Sequence, residues 1–245
     1  VAASGCLKLD EILTIDKNGS GDIEITYTIP EQTVAQMASM FKLRDQMDTI
    51  VGQQSAPQTK EEIFQRIFFD PSEDRIRRQL KKYEQFGITI ATLKVETRNS
   101  ARNVNLKVEF TDLARLAKTD FFPDHGFTLV RNQNGTYTFY RASEANGAPE
   151  NVGPEAAGLL TPVLSGFRAA FKVNTPGKII ETNASRRTLY NAAWIFEFDK
   201  DPNAMTALQK LNMKIIFDGK GISLPEVRQL APPPSKAVVP QKARQ

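Results

Sequence analysis

Few residues in this sequence have types and spacing suited to chemistry. The 245-residue chain carries a single cysteine, Cys6, and a single histidine, His125. Cys6 closes the run Ala3-Ser4-Gly5-Cys6. A cysteine reacts as its thiolate and can form a stable thioether to a diacylglycerol. Small residues ahead of it suit the narrow cleavage site of a signal peptidase. The run therefore predicts a bacterial lipobox, with Ala3 where such signals usually carry Leu. Cys6 is expected to be acylated and Val1–Gly5 to be a signal-peptide remnant missing from the mature protein. Two or more acyl chains at about 0.8 kcal/mol per buried methylene give stable anchoring. Leu7 rather than Asp follows the cysteine, which favours the outer membrane where the cell has two.

The remaining candidates read as structure. Asp124-His125 lies in FFPDHGF, but adjacent side chains rarely aim at a common atom, so a loop histidine is expected. One cysteine rules out an internal disulfide framework and a Cys-based zinc site, and one histidine disfavours a His-based metal site or a Ser-His triad. No cofactor and no metal are expected. Gly219-Lys220-Gly221-Ile222-Ser223 lacks the spacing of a phosphate loop, and Pro225 stops any following helix. Asp199 and Asp201 flank Lys200 as capping residues. Asn18-Gly19-Ser20, Asn134-Gly135-Thr136 and Asn183-Ala184-Ser185 match the glycosylation sequon, yet in a bacterial lipoprotein they are turn residues. The net charge of +4, with a pI near 9.1 and acidic residues mixed throughout, does not describe a nucleic-acid binder. No apolar run approaches the roughly 18–20 residues needed to span a bilayer.

These residues must be held by elements that the periodicity outlines. Residues 7–16 alternate in part, Lys17-Asn18-Gly19-Ser20-Gly21 signals a turn, and Asp22–Ile29 alternates cleanly. Together they predict a β-hairpin with Ile23, Ile25, Tyr27 and Ile29 on one face. Pro30 ends the strand, and a helix is expected from Glu31 to about Val51. A helix over 60–69 and another from Ser72 to Phe86, stopped by Gly87, follow. Residues 88–97 and 103–110 predict a second hairpin through 98–102. Residues 112–118 read as a short helix, and 127–131 with 137–141 as a third hairpin around Asn134-Gly135. Strands are expected over 166–173, 178–181, 189–198 and 213–217, with a helix from Asp201 to Leu211. The fold class is α+β: mostly antiparallel sheet built from hairpins, with inserted helices and a disordered Pro-rich C-terminal tail.

Two helices offer ligand surfaces. The helix at 31–51 carries Met37, Met40, Phe41 and Met47. Methionine adapts to varied apolar partners, although it also fills ordinary cores. The helix at 72–86 sets Ile76, Leu80 and Tyr83 against Arg75, Arg78, Lys81 and Lys82. That pattern suits anionic headgroups or simply a solvated face.

Two stretches carry a family resemblance: GCLKLDEILTIDKNGSGDIEITYTIP, and KVNTPGKIIETNASRRTLYNAAWIFEF with the only tryptophan, Trp194. Their layout resembles the LppM-type bacterial lipoprotein domain family. The resemblance implies a lipid-anchored α+β envelope protein with a proposed lipid-binding role, and it supplies no catalytic residues. The middle, about 50–160, is larger than that pattern needs.

The organisation expected is a remnant over 1–5, a single α+β domain over 6–230 with a central insertion near 50–160, and a tail over 231–245. The function expected is a non-enzymatic envelope lipoprotein, facing the periplasm or exterior. It would bind an amphiphile, a lipid or glycolipid, or an envelope partner, and no nucleic acid. A structural or assembly component making only protein contacts is the alternative, and a hydrolase of envelope polymers a third reading. With no tether between Cys6 and the sheet, the Cys6 end should face the bilayer, while Lys236, Lys242 and Arg244 in the tail reach away.

Overall fold

A computed structural model describes residues 7–50, 68–119, 121, 126–142, 166–201 and 203–228. The chain first reverses where Asp16 N–H donates to Ser20 O at 2.8 Å and Gly19, at φ 88°, closes the turn. The strands on either side are β1 (Lys8–Ile15) and β2 (Gly21–Pro30). A Cβ at Gly21 would stand 1.9 Å from Thr14 O, so only glycine lets the two strands start their ladder there. α1 (Glu31–Ile50) leaves the sheet directly after Pro30.

Ser72 caps α2 (Glu73–Lys81) through its hydroxyl, and a 3₁₀ turn over Glu84–Phe86 ends at Gly87 with φ 76°. β3 (Ile88–Arg98) and β4 (Ala101–Phe110) follow. Their connection is only Asn99-Ser100, both in the left-handed region, which matches the twist of a two-residue hairpin. Asp112 caps the short α3 (Leu113–Leu116). β5 (Thr128–Arg131) and β6 (Thr136–Ala142) form the third hairpin. Then come β7 (Arg168–Asn174), β8 (Ile179–Thr182), β9 (Arg186–Arg187), β10 (Asn191–Glu197), α4 (Ala204–Gln209) and β11 (Asn212–Asp218).

The described strands form two sheets. One has seven strands in the order β3-β4-β2-β1-β7-β10-β9, the other four in the order β5-β6-β11-β8. All pairings are antiparallel except β1 with β7. The expected α+β class, mostly antiparallel and built from hairpins, is what the structure shows.

The two faces of the large sheet differ. Alternation sends Leu13, Ile15, Ile23, Tyr27, Ile29, Val104, Val108 and Phe171 to one side, where they join a single apolar cluster with Phe139, Ile215 and Phe217 of the small sheet. Each such side chain contributes about 1.5–3 kcal/mol by leaving water. α2 covers β3 on this side, and Glu73 accepts from Val95 N–H at 3.1 Å. Asn183 ties the two sheets. Its Oδ1 accepts from Trp194 Nε1–H at 3.2 Å and from Lys214 N–H at 2.9 Å. The other face carries polar residues.

Several boundaries depart from the sequence reading. The helix expected from Ser72 to Phe86 stops at Lys81, and the loop expected over 98–102 shrinks to two residues as the strands extend into it. β3 contains a register shift between Ile90 and Thr92. Ile88 and Ile90 face the core before the shift, Leu93 and Val95 after it. The helix expected from Asp201 begins at Ala204 and ends at Gln209, and β9 was not anticipated. Residues 1–6, the stretch 51–67, Asp124-His125, the loop at 144–158 and the tail from Ala231 lie outside the described residues.

Candidate functional site

On the polar face, register sets two rows side by side across four strands. Lys8, Thr28, Asn103 and Glu96 form one row, and Asp10, Thr26, Asn105 and Lys94 the other. The shift in β3 is what gives Lys94 and Glu96 the same face as their neighbours while Ile88 and Ile90 stay in the core. The rows line an open cleft of about 270 Å³.

The cleft is internally bonded. Thr28 Oγ1 donates to Asn103 Oδ1 at 2.9 Å, and Asn103 Nδ2 donates to Ala101 O at 3.2 Å. Lys94 Nζ lies 2.6 Å from Glu96 Oε2, and this hydrogen bond holds the Glu96 carboxyl below its ordinary value. Asp10 is fixed by Arg168 at 2.9 Å and Lys172 at 3.3 Å. Two ammonium groups, two carboxylates, two amides and two hydroxyls make a lining with no net sign, rich in both donors and acceptors. Such a lining suits a neutral, hydroxyl-bearing group better than an acyl chain or a phosphate cluster. Among the described residues no group of three or more His, Cys, Asp or Glu could hold a metal ion.

The sequence candidates are scattered. Cys6 lies outside the described residues, but Leu7 beside it is buried and its carbonyl accepts from Arg168 N–H at 3.0 Å. Met37 is half-buried on α1, and the side chains of Met40, Phe41 and Met47 lie outside the described residues. On α2 Ile76 is buried, Arg75 pairs with Asp70 at 2.9 Å, and Arg78 and Lys81 face solvent. Gly219–Ser223 is a turn after β11, with no helix behind it. Asp199 accepts from Gly166 N–H at 2.6 Å and Asp201 from Asn203 N–H at 2.8 Å. Of the sequon residues, Asn18 and Asn134 accept hydrogen bonds within their turns, whereas Asn183 follows β8 and accepts from Trp194 and Lys214 across the two sheets.

Sequence reasoning missed the cleft. Its eight polar residues are ordinary one by one. The available signal was the polar half of each alternating strand, which becomes a surface only once four strands are aligned. It also missed Glu11, which occupies a core-facing position of β1 and forms an ion pair with Arg141 of β6.

Among the described residues no helix is long and apolar enough to cross a membrane. No protein-family model and no curated protein sequence matches the chain. Among solved structures the chain is similar to the folded domain of the Mycobacterium tuberculosis LppM protein, determined by NMR. The identity is 12%, the alignment covers 90% of this chain and 95% of that one, and the TM-score is 0.40.

Proposed function

We propose that this chain is a lipid-anchored protein of the bacterial cell envelope that holds the polar head of an amphiphile without catalysing a reaction on it. One observation carries the reading: the donor-and-acceptor cleft begins at Lys8, two residues after the predicted acylation site. Two extended residues span about 7 Å, so acyl chains on Cys6 would hold the cleft near headgroup depth. The ligand class this suits is a lipid or glycolipid with a hydroxyl-rich head. α1 leaves the sheet at the same end, after Pro30, and is the proposed surface for the ligand's apolar part, through Met37, Met40, Phe41 and Met47.

The geometry gives the hydrolase reading little support. The cleft carboxylates Asp10 and Glu96 stand on β1 and β3, three strand spacings apart, or about 14 Å. Paired carboxylates that cleave glycosidic bonds stand about 5–9.5 Å apart. Both groups are also engaged by cations.

Native mass spectrometry of protein extracted from its own membranes tests the proposal. The expected result is an acylated Cys6 terminus together with a retained amphiphile. Thr28→Val with Asn105→Ala should lower the retained ligand at least tenfold while the acyl mass stays. An unmodified Val1 terminus would remove the anchor. Ligand retention unaffected by the double variant would remove the cleft.

A further inference from the structure

We infer that the edge of the fold opposite Leu7 is a docking surface for a protein partner with an acidic rim. Ile180, Leu189 and Tyr190 are 55%, 57% and 52% exposed, and with Leu43 they are the large apolar side chains left in water among the described residues. They form one patch. Ile179 N–H donates to Leu189 O at 2.7 Å, and the Arg187 guanidinium donates to Ile180 O at 3.3 Å. Lys178 and Arg187 flank it, both exposed. The nearby carboxylates are engaged: Glu181 pairs with Lys214 at 2.8 Å, and Asp218 accepts from Lys220 N–H at 3.0 Å. An apolar centre holding tyrosine, flanked by arginine, is the composition of protein-binding hot spots.

Charge selects the partner. A symmetric second copy would set Lys178 and Arg187 against the same two cations, which disfavours self-association. Position argues against the protein's own membrane, and this step rests on the anchoring proposed above. Arg168 N–H meets Leu7 O at one end of β7, and Thr175 N–H meets Tyr190 O just past the other. A seven-residue strand at about 3.3 Å per residue separates the two by roughly 23 Å. With Cys6 in the bilayer, the patch points away from it. An acidic protein surface of the envelope is the occupant that meets both conditions.

The test uses the full chain in its own cell, with the photo-crosslinking residue p-benzoylphenylalanine at Leu189 and, as control, at Thr92 on the polar face. The expected result is a discrete adduct from position 189 and none from 92, with a protein that mass analysis identifies as acidic. Lys178→Glu with Arg187→Glu should lower that adduct at least tenfold. The same charge change on α2, Arg78→Glu with Lys81→Glu, should leave it unchanged, with both variants melting like the parent. Adducts to lipid, adducts to a second copy, no adduct, or indifference to the first charge reversal would each overturn the inference. A second arm floats the full-length Cys6→Ser chain with phosphatidylglycerol vesicles. It should not bind them, and binding abolished by Leu189→Glu would assign the patch to a membrane instead. The acyl mass on Cys6 in the crosslinked sample reports the anchor separately, so the two failures can be told apart.

Discussion

Glu11 sits where the alternation of β1 calls for an apolar residue, between Leu9 and Leu13, and its partner Arg141 projects from the small sheet. Their side chains are only 15% and 10% exposed, and the guanidinium lies 5.9 Å over the Phe171 ring. Removing one member of such a pair leaves the other charged and largely cut off from water, which costs about 3–5 kcal/mol when burial is complete. The residual exposure here reduces the expectation to about 2–3 kcal/mol for Glu11→Gln or Arg141→Met. Removing both should cost less than either alone, about 1 kcal/mol or below, because no charge is stranded and the methionine keeps the packing. For a chain of this size the single variants should melt about 5–10 °C lower. Urea unfolding of the wild type, both singles and the double checks the scheme, with the slope unchanged so that midpoints report stability. A single variant costing under about 0.5 kcal/mol, or a double equal to the sum of the singles, would refute the reasoning.

Burial holds the Tyr27 phenol neutral well above its ordinary value near 10. Because the folded-state value lies above the unfolded one, this contribution is complete below about pH 10 and is lost as pH rises through the folded value. Stability should therefore fall above about pH 10, and Tyr27→Phe should flatten that fall in alkaline urea titrations; equal slopes in both proteins would contradict it. Gly21→Ala forces its Cβ against Thr14 O and should cost about 2–3 kcal/mol. Gly135→Ala has open space but φ 80°, so about 1 kcal/mol is expected. Thermal melts that rank the two the other way would show that the steric argument is wrong.

What the sequence offers for the site is local. A lipobox expectation could be written from Ala3-Ser4-Gly5-Cys6, four consecutive residues. The cleft could not, because Lys94 and Glu96 have no relation to Lys8 and Asp10 until three strand pairings bring them together. The exposed patch was hidden for the opposite reason. Ile180, Leu189 and Tyr190 look like core residues in the sequence, and only the position of β8 and β9 at sheet edges leaves them in water.

The sequence by itself determined where the chain turns back and where α2 starts. Gly19 and Gly135 reverse the chain by backbone geometry, Ser72 caps through its own side chain, and the period of two sorts each strand into faces. These effects act over a few neighbouring residues, so no distant partner is needed to read them. Tertiary structure alone decided that β1 lies parallel to β7, that β3 slips by one residue near Ala91, and that Glu11 is tolerated in a core-facing position. Alternation fixes which side of a strand is apolar, but it leaves open which strand lies alongside. That choice belongs to the packing of the whole core, where residues as far apart as Asp10 and Arg168 first meet.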